Sequence, residues 1–158
     1  MRKIIIPTDF TVESLQLIEY AILNYPDEKL DVILAFGYKI PLHEIEIIKF
    51  SSMSIIHKAT SEKFLKAKKN ILIEHSDRLN RINIELFCGL NSVVFKNFLR
   101  EHNIHDAIIP QNNFICLKNS KCFDLTPLIR KKVENVIEVE LNNRSEEIKR
   151  TRFSLLGF

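Results

Sequence analysis

Few residues of this chain stand where their type and spacing suit them for chemistry. Thr8 and Asp9 directly follow the apolar run Ile4, Ile5, Ile6 and Pro7. A carboxylate at that point either contacts a ligand hydroxyl or turns the backbone by accepting bonds from its own neighbours. Lys118 and Lys121 lie in a stretch without clear hydrophobic period, ahead of the Thr126-Pro127 pair that reads as a helix start. There they either hold an anion or are simply solvated. Cys116 and Cys122 belong to the same stretch and, with Cys88, make an odd set without CxxC spacing. They read as free thiols in a reducing compartment, with a Cys116–Cys122 redox pair as the alternative. His75 falls on the apolar stripe of a predicted helix and reads as a packed residue. His43, His57, His102 and His105 show no metal-ligand spacing, and neither a GxSxG nor an HExxH pattern occurs. The expectation is no catalytic residue, no metal site and no enzyme.

The composition narrows the classes further. With 158 residues, 46% hydrophobic and 27% charged, the chain suits one ordinary globular domain. A net charge of +3 is too small for a nucleic-acid or membrane footprint unless concentrated on one face. The lysines at 63, 66, 68 and 69 read as the solvated face of a helix. The segment before Pro7 is too short for a signal-peptide apolar region, and no run approaches a membrane span. A cytoplasmic protein with neither nucleic-acid nor membrane partners is expected.

The elements that must position these residues alternate. Residues 3–6 read as a strand buried on both faces, followed by a helix that Thr11 can cap, with Leu15, Ile18 and Ile22 on one face. Leu30–Phe36 is the second strand, closed by Gly37. Residues 54–79 read as one long amphipathic helix with Phe64, Ala67, Ile71, His75 and Leu79 on its stripe. Ile82–Cys88 is a third strand with unequally buried faces, suited to an edge. Asn91 caps a helix carrying Val94, Phe95, Phe98 and Leu99 and ending near Asn103. Ala107–Ile109 is the fourth strand, stopped by Pro110. A short helix runs from Thr126 to about Lys132. Val136–Leu141 is the fifth strand, and its Glu138 and Glu140 on one face suit an edge. Such alternation calls for right-handed βαβ units and a parallel sheet with helices on both faces. Residues 1–141 form this domain; 142–158 form a tail, a polar spacer with an apolar end (Phe153, Leu155, Leu156, Phe158) suited to docking.

The opening Ile4-Ile5-Ile6-Pro7-Thr8-Asp9-Phe10-Thr11, with Ser14 and Ala21 behind it, resembles the start of the universal stress protein family. Gly89, His105-Asp106-Ala107-Ile108-Ile109, Leu128-Ile129-Arg130-Lys131 and Val136-Ile137-Glu138-Val139 continue that resemblance in order and spacing over most of 1–141. It implies a flavodoxin- or Rossmann-like three-layer α/β sandwich with a five-stranded parallel sheet ordered 3-2-1-4-5. A ligand would then sit outside the carboxyl ends of strands one and four, where the strand order reverses. The resemblance further implies Asp9 beside the adenosine part of a nucleotide, with Ala35 or Phe36 lining the adenine slot.

Family members that bind ATP carry glycines after strand four. Here the matching positions are Pro110 and Asn113, then Cys122-Phe123 or Phe123-Asp124. Without glycine, Cβ atoms keep the backbone from the phosphates, and proline offers no N–H at all. The branch of the family without that motif is the better match. Three functions follow as expectations. The first is a stress-response-type regulatory or partner-binding module, homodimeric through the last strand (Val136, Ile137, Glu138, Val139, Glu140, Leu141), with no cofactor and no tight ATP binding. The second is an adenine-nucleotide or small-ligand sensor, for AMP or ATP, using Thr8, Asp9 and the 110–121 loop. The third is a weak nucleotide hydrolase, for which no base, metal ligand or arginine finger is identifiable.

Overall fold

A computed structural model describes residues 1–39, 51–89, 91–111 and 114–141. Asn113, the Pro41 loop, His43 and the 142–158 tail lie outside the described residues. Strand β1 (Arg2–Pro7) carries Ile4, Ile5 and Ile6 fully buried at the centre of the sheet. Such a run needs cover on both faces, and the chain supplies it with helices. A short 3-10 turn (Glu13–Leu15) leads into α1 (Gln16–Asn24), and β2 (Leu30–Tyr38), buried along its whole length, follows. Then come α2 (Ser52–Ala59), α3 (Glu62–Glu74), β3 (Leu79–Phe87), α4 (Ser92–Glu101) and β4 (Asp106–Pro110). The chain continues with β5 (Cys122–Phe123), α5 (Thr126–Lys132) and β6 (Asn135–Val139).

The parallel strands run in the order β3-β2-β1-β4-β6, the expected 3-2-1-4-5, with β3 and β6 at the edges. Register places Ile5 beside Ile33 of β2 and Ala107 of β4. Alternation then divides the core. Ile4, Ile6, Val32, Leu34 and Ile108 pack with Ile18, Ile22, Phe64 and Ile71 under α1 and α3. Ile5, Ile33, Ala35, Ala107 and Ile109 pack with Phe95, Leu99 and Ile129 under α4 and α5. Each fully buried Ile or Leu contributes about 1.5–3 kcal/mol, so these two layers dominate the stability.

Three expectations need correction. The long helix over 54–79 is two helices and the start of a strand. Thr60 and Ser61 take extended backbone, and the Ser61 hydroxyl accepts from the Phe64 amide at 3.1 Å. That cap begins a new helix where the apolar stripe had suggested continuity. At the other end His75 closes α3, its carbonyl accepts from the Arg78 and Leu79 amides, and Leu79 opens β3. Secondly, the sheet has six strands among the described residues: β5, read as loop, pairs antiparallel with the end of β2. Thirdly, the last strand spans 135–139, so Glu140 and Leu141 lie beyond it.

At the amino ends of the strands Arg2 forms a clamp. Its guanidinium donates to both carboxylate oxygens of Glu28 at 2.7 Å and to Asp106 at 2.9 Å, and lies over the Tyr25 ring at 4.6 Å. The hydrogen bond from Arg2 holds the Glu28 carboxyl below its ordinary pKa. This cluster ties β1, β4 and the turn before β2 together at the pole opposite the candidate site.

Candidate functional site

At the carboxyl end of β1 the chain turns sharply. The Thr8 amide donates to the Ala35 carbonyl at 3.0 Å, extending the β1–β2 ladder by one bond. Phe10 then adopts φ 64°, the left-handed region that costs a non-glycine residue about 1–2 kcal/mol. Its amide donates to the Thr8 hydroxyl at 3.1 Å. Its ring meets Phe36 and Phe64 edge-on, with centroids 4.7 and 5.8 Å away, contacts worth about 0.5–1.5 kcal/mol each. The aromatic packing offsets the backbone cost.

That turn presents Asp9. One carboxylate oxygen accepts from the Thr11 amide and hydroxyl, and the other accepts from the Cys116 amide at 3.2 Å. The first pair is the local turn; the last bond is long-range and joins the loop after β1 to the loop after β4. The second loop is also held at its far end. The Lys39 amide donates to the Lys121 carbonyl at 2.8 Å, and Phe123 lies so close over Gly37 that a Cβ there would stand 2.3 Å from the ring.

Between these loops and the α2–α3 junction lies a cavity of about 440 Å³. Phe10, Tyr38, Ile55 and Leu117 supply apolar and aromatic wall; Asp9, Lys58 and Lys118 supply charge; Thr11, Ser61 and Asn119 supply neutral polar groups. Of the residues expected from sequence, Asp9 and Lys118 line it. Thr8, Ala35, Phe36 and Pro110 are buried in the turn and the strands rather than on the wall. Lys121 is engaged through its backbone in the join to β2 and lies off the wall. Asn113 is outside the described residues. Pro110 is the last residue of β4, paired with Val139. Sequence reasoning missed Lys58, Ile55 and Ser61, because reading one helix through 54–79 concealed the junction that brings them here. Ser61-Glu62 directly after Thr60 was the available signal.

At the start of α5, Asp124 accepts from the Thr126 amide and hydroxyl at 2.8 and 2.6 Å. A carboxylate thus occupies that helix end. In the last strand Val136 and Ile137 are half-buried, Glu138 is exposed and paired with Arg130, and Val139 is buried within the chain; of the two residues after it, Glu140 is exposed and Leu141 buried. Among the described residues no three His, Cys, Asp or Glu side chains gather as metal ligands, and no helix is long and apolar enough to cross a membrane.

All three cysteines are free thiols; Cys116 is exposed, Cys88 and Cys122 half-buried. Burial pushes the Cys88 and Cys122 thiols up from their ordinary pKa, which depletes the reactive thiolate at neutral pH. Iodoacetamide at pH 7 is therefore expected to alkylate Cys116 first, as followed by peptide mass mapping. Equal labelling of Cys122, or a Cys116–Cys122 disulfide peptide in the untreated protein, would contradict this.

No family model and no curated protein matches the chain. Solved structures do. The hypothetical protein MJ0577 aligns over 90% of this chain and 98% of its own, with TM-score 0.54 and 18% identity. The universal stress protein UspA from Lactobacillus plantarum aligns over 88% of this chain and 97% of its own, with TM-score 0.56 and 11% identity. The parallel order β3-β2-β1-β4-β6, helices on both faces and near-complete mutual coverage agree: this chain has the fold of the universal stress proteins.

Proposed function

We propose that this protein is a non-enzymatic regulatory module of the stress-response type that senses a small ligand in the cavity at the carboxyl ends of β1 and β2. The observation that carries this reading is the Asp9–Cys116 bond. It closes the loop after β4 against the loop after β1, so an occupant of the cavity touches both and biases their arrangement. Asp9 and Lys118 would meet the ligand, while Thr8, Ala35, Phe36 and Pro110 would hold the wall from behind. The fold likeness supports the stress-response role by analogy alone. Free thiols support a cytoplasmic setting.

Tight triphosphate binding does not fit the loop. Between Pro110 and Thr126 there is no glycine, and Asp124 already uses the Thr126 amide at the start of α5. A phosphate chain would meet Cβ atoms and a carboxylate instead of free N–H groups. Among adenine ligands, AMP and adenosine should therefore bind ahead of magnesium-ATP. A thermal-unfolding scan tests this: a ligand at 100 times its Kd adds about 2.7 kcal/mol, or roughly 5–10 °C for a chain of this size. A shift with ATP alone would overturn the lost phosphate grip. No shift with any of the three would favour the second reading, a homodimeric partner-binding module. That reading draws on β6, an edge strand that pairs only with β4 among the described residues. A monomer mass by light scattering at tens of micromolar would remove it.

A further inference from the structure

Among the described residues, the charged groups on the cavity wall are two lysines against one aspartate. The aspartate is already engaged, its oxygens accepting from Thr11 and Cys116. Neither Lys58, in the last turn of α2, nor Lys118, in the loop after β4, is paired with a carboxylate among the described residues. The described wall is therefore net positive. Helix α2 adds a second observation: it buries none of its eight residues, and Ile55, on the cavity wall, is only half-covered. An amphipathic helix with its apolar side half-open lacks the contact that burial would supply.

We propose that the cavity takes a small amphipathic anion: an aromatic or branched apolar body bearing one oxyanion, carboxylate or phosphate monoester. The body packs on Phe10, Tyr38, Ile55 and Leu117, completing the cover of α2, and the oxyanion meets Lys58 and Lys118. A triphosphate carries more charge than two exposed lysines balance. This inference rests on the ligand-sensing reading and names its ligand class.

The test uses 8-anilinonaphthalene-1-sulfonate and its uncharged parent, N-phenyl-1-naphthylamine, titrated by fluorescence into the full chain. The two share a body and differ by one anionic group. Exposed lysine–anion contacts are modest, so the sulfonate is expected to bind about five- to tenfold more tightly. Lys58→Gln with Lys118→Gln, which adds no apolar surface, should abolish that preference and leave the neutral probe unaffected; Lys58→Arg with Lys118→Arg should keep it. Benzoate and phenyl phosphate should displace the sulfonate and benzyl alcohol should not, and the stronger displacer identifies the oxyanion source. Equal binding of the two probes, a preference surviving the double Gln change, or displacement by benzyl alcohol as strong as by the anions would overturn the inference alone. Ala59→Trp, which fills the cavity, separates the two levels. If both probes bind that variant as they bind the native chain, the cavity is not their site and the ligand-sensing reading fails with the inference.

Discussion

Replacing Phe36 by alanine is expected to lower the unfolding free energy by about 3–5 kcal/mol, the usual cost of deleting a fully buried phenyl ring. Phe36 has no exposed surface, and its ring makes a T-shaped contact with that of Phe10, the residue held in left-handed backbone. Its loss opens a void under the turn that carries Asp9. For a chain of this length the midpoint should fall by roughly 6–20 °C, read by denaturant and thermal unfolding with no ligand present. A ring that mainly lined a ligand slot would behave otherwise: its removal would reduce affinity and cost about 1 kcal/mol or less in stability. The two roles separate on the unliganded protein.

Gly37→Val is expected to have the second-largest effect, about 1–3 kcal/mol from overpacking. A Cβ at Gly37 would stand 2.3 Å from the Phe123 ring, and Phe123 packs against the layer under α4 and α5. The ring must leave, taking with it the antiparallel pairing of Phe123 with Gly37 and of Cys122 with Tyr38. Since Tyr38 and Cys122 line the cavity, probe binding should weaken along with stability. Phe123→Ala made in the Gly37→Val background removes the clash and should recover part of the loss. A double-mutant cycle reads this as a coupling energy between the two sites. Strict additivity would mean that the ring does not depend on the missing Cβ.

How much of this was legible in advance follows from which physical signals are local. Proline after a continuous isoleucine run, asparagine at the start of α4 and Thr126-Pro127 at the start of α5 each act within a few residues, and each element stands where those residues indicate. The Asn91 carboxamide indeed accepts from the Val94 amide at 2.9 Å. The helix junction at Thr60-Ser61 was concealed because two signals conflicted there. The apolar stripe from Phe64 to His75 extends the pattern of a single helix, while one serine hydroxyl ends it. At an exposed position the cap prevails, since no buried contact there favours continuation.

The sequence by itself determined the two buried central strands, the alternation of strands and helices, and the absence of glycine from the loop after β4. These rest on hydrophobic period and backbone chemistry, which a residue carries wherever it is placed. Only the tertiary structure decided that Asp9 reaches Cys116 across 107 positions of sequence, that Phe123 takes the space Gly37 leaves, and that Lys58 joins Lys118 around one cavity. Each is a meeting of segments that no local preference encodes. It is set by the register of parallel strands and by the direction in which each loop leaves the sheet.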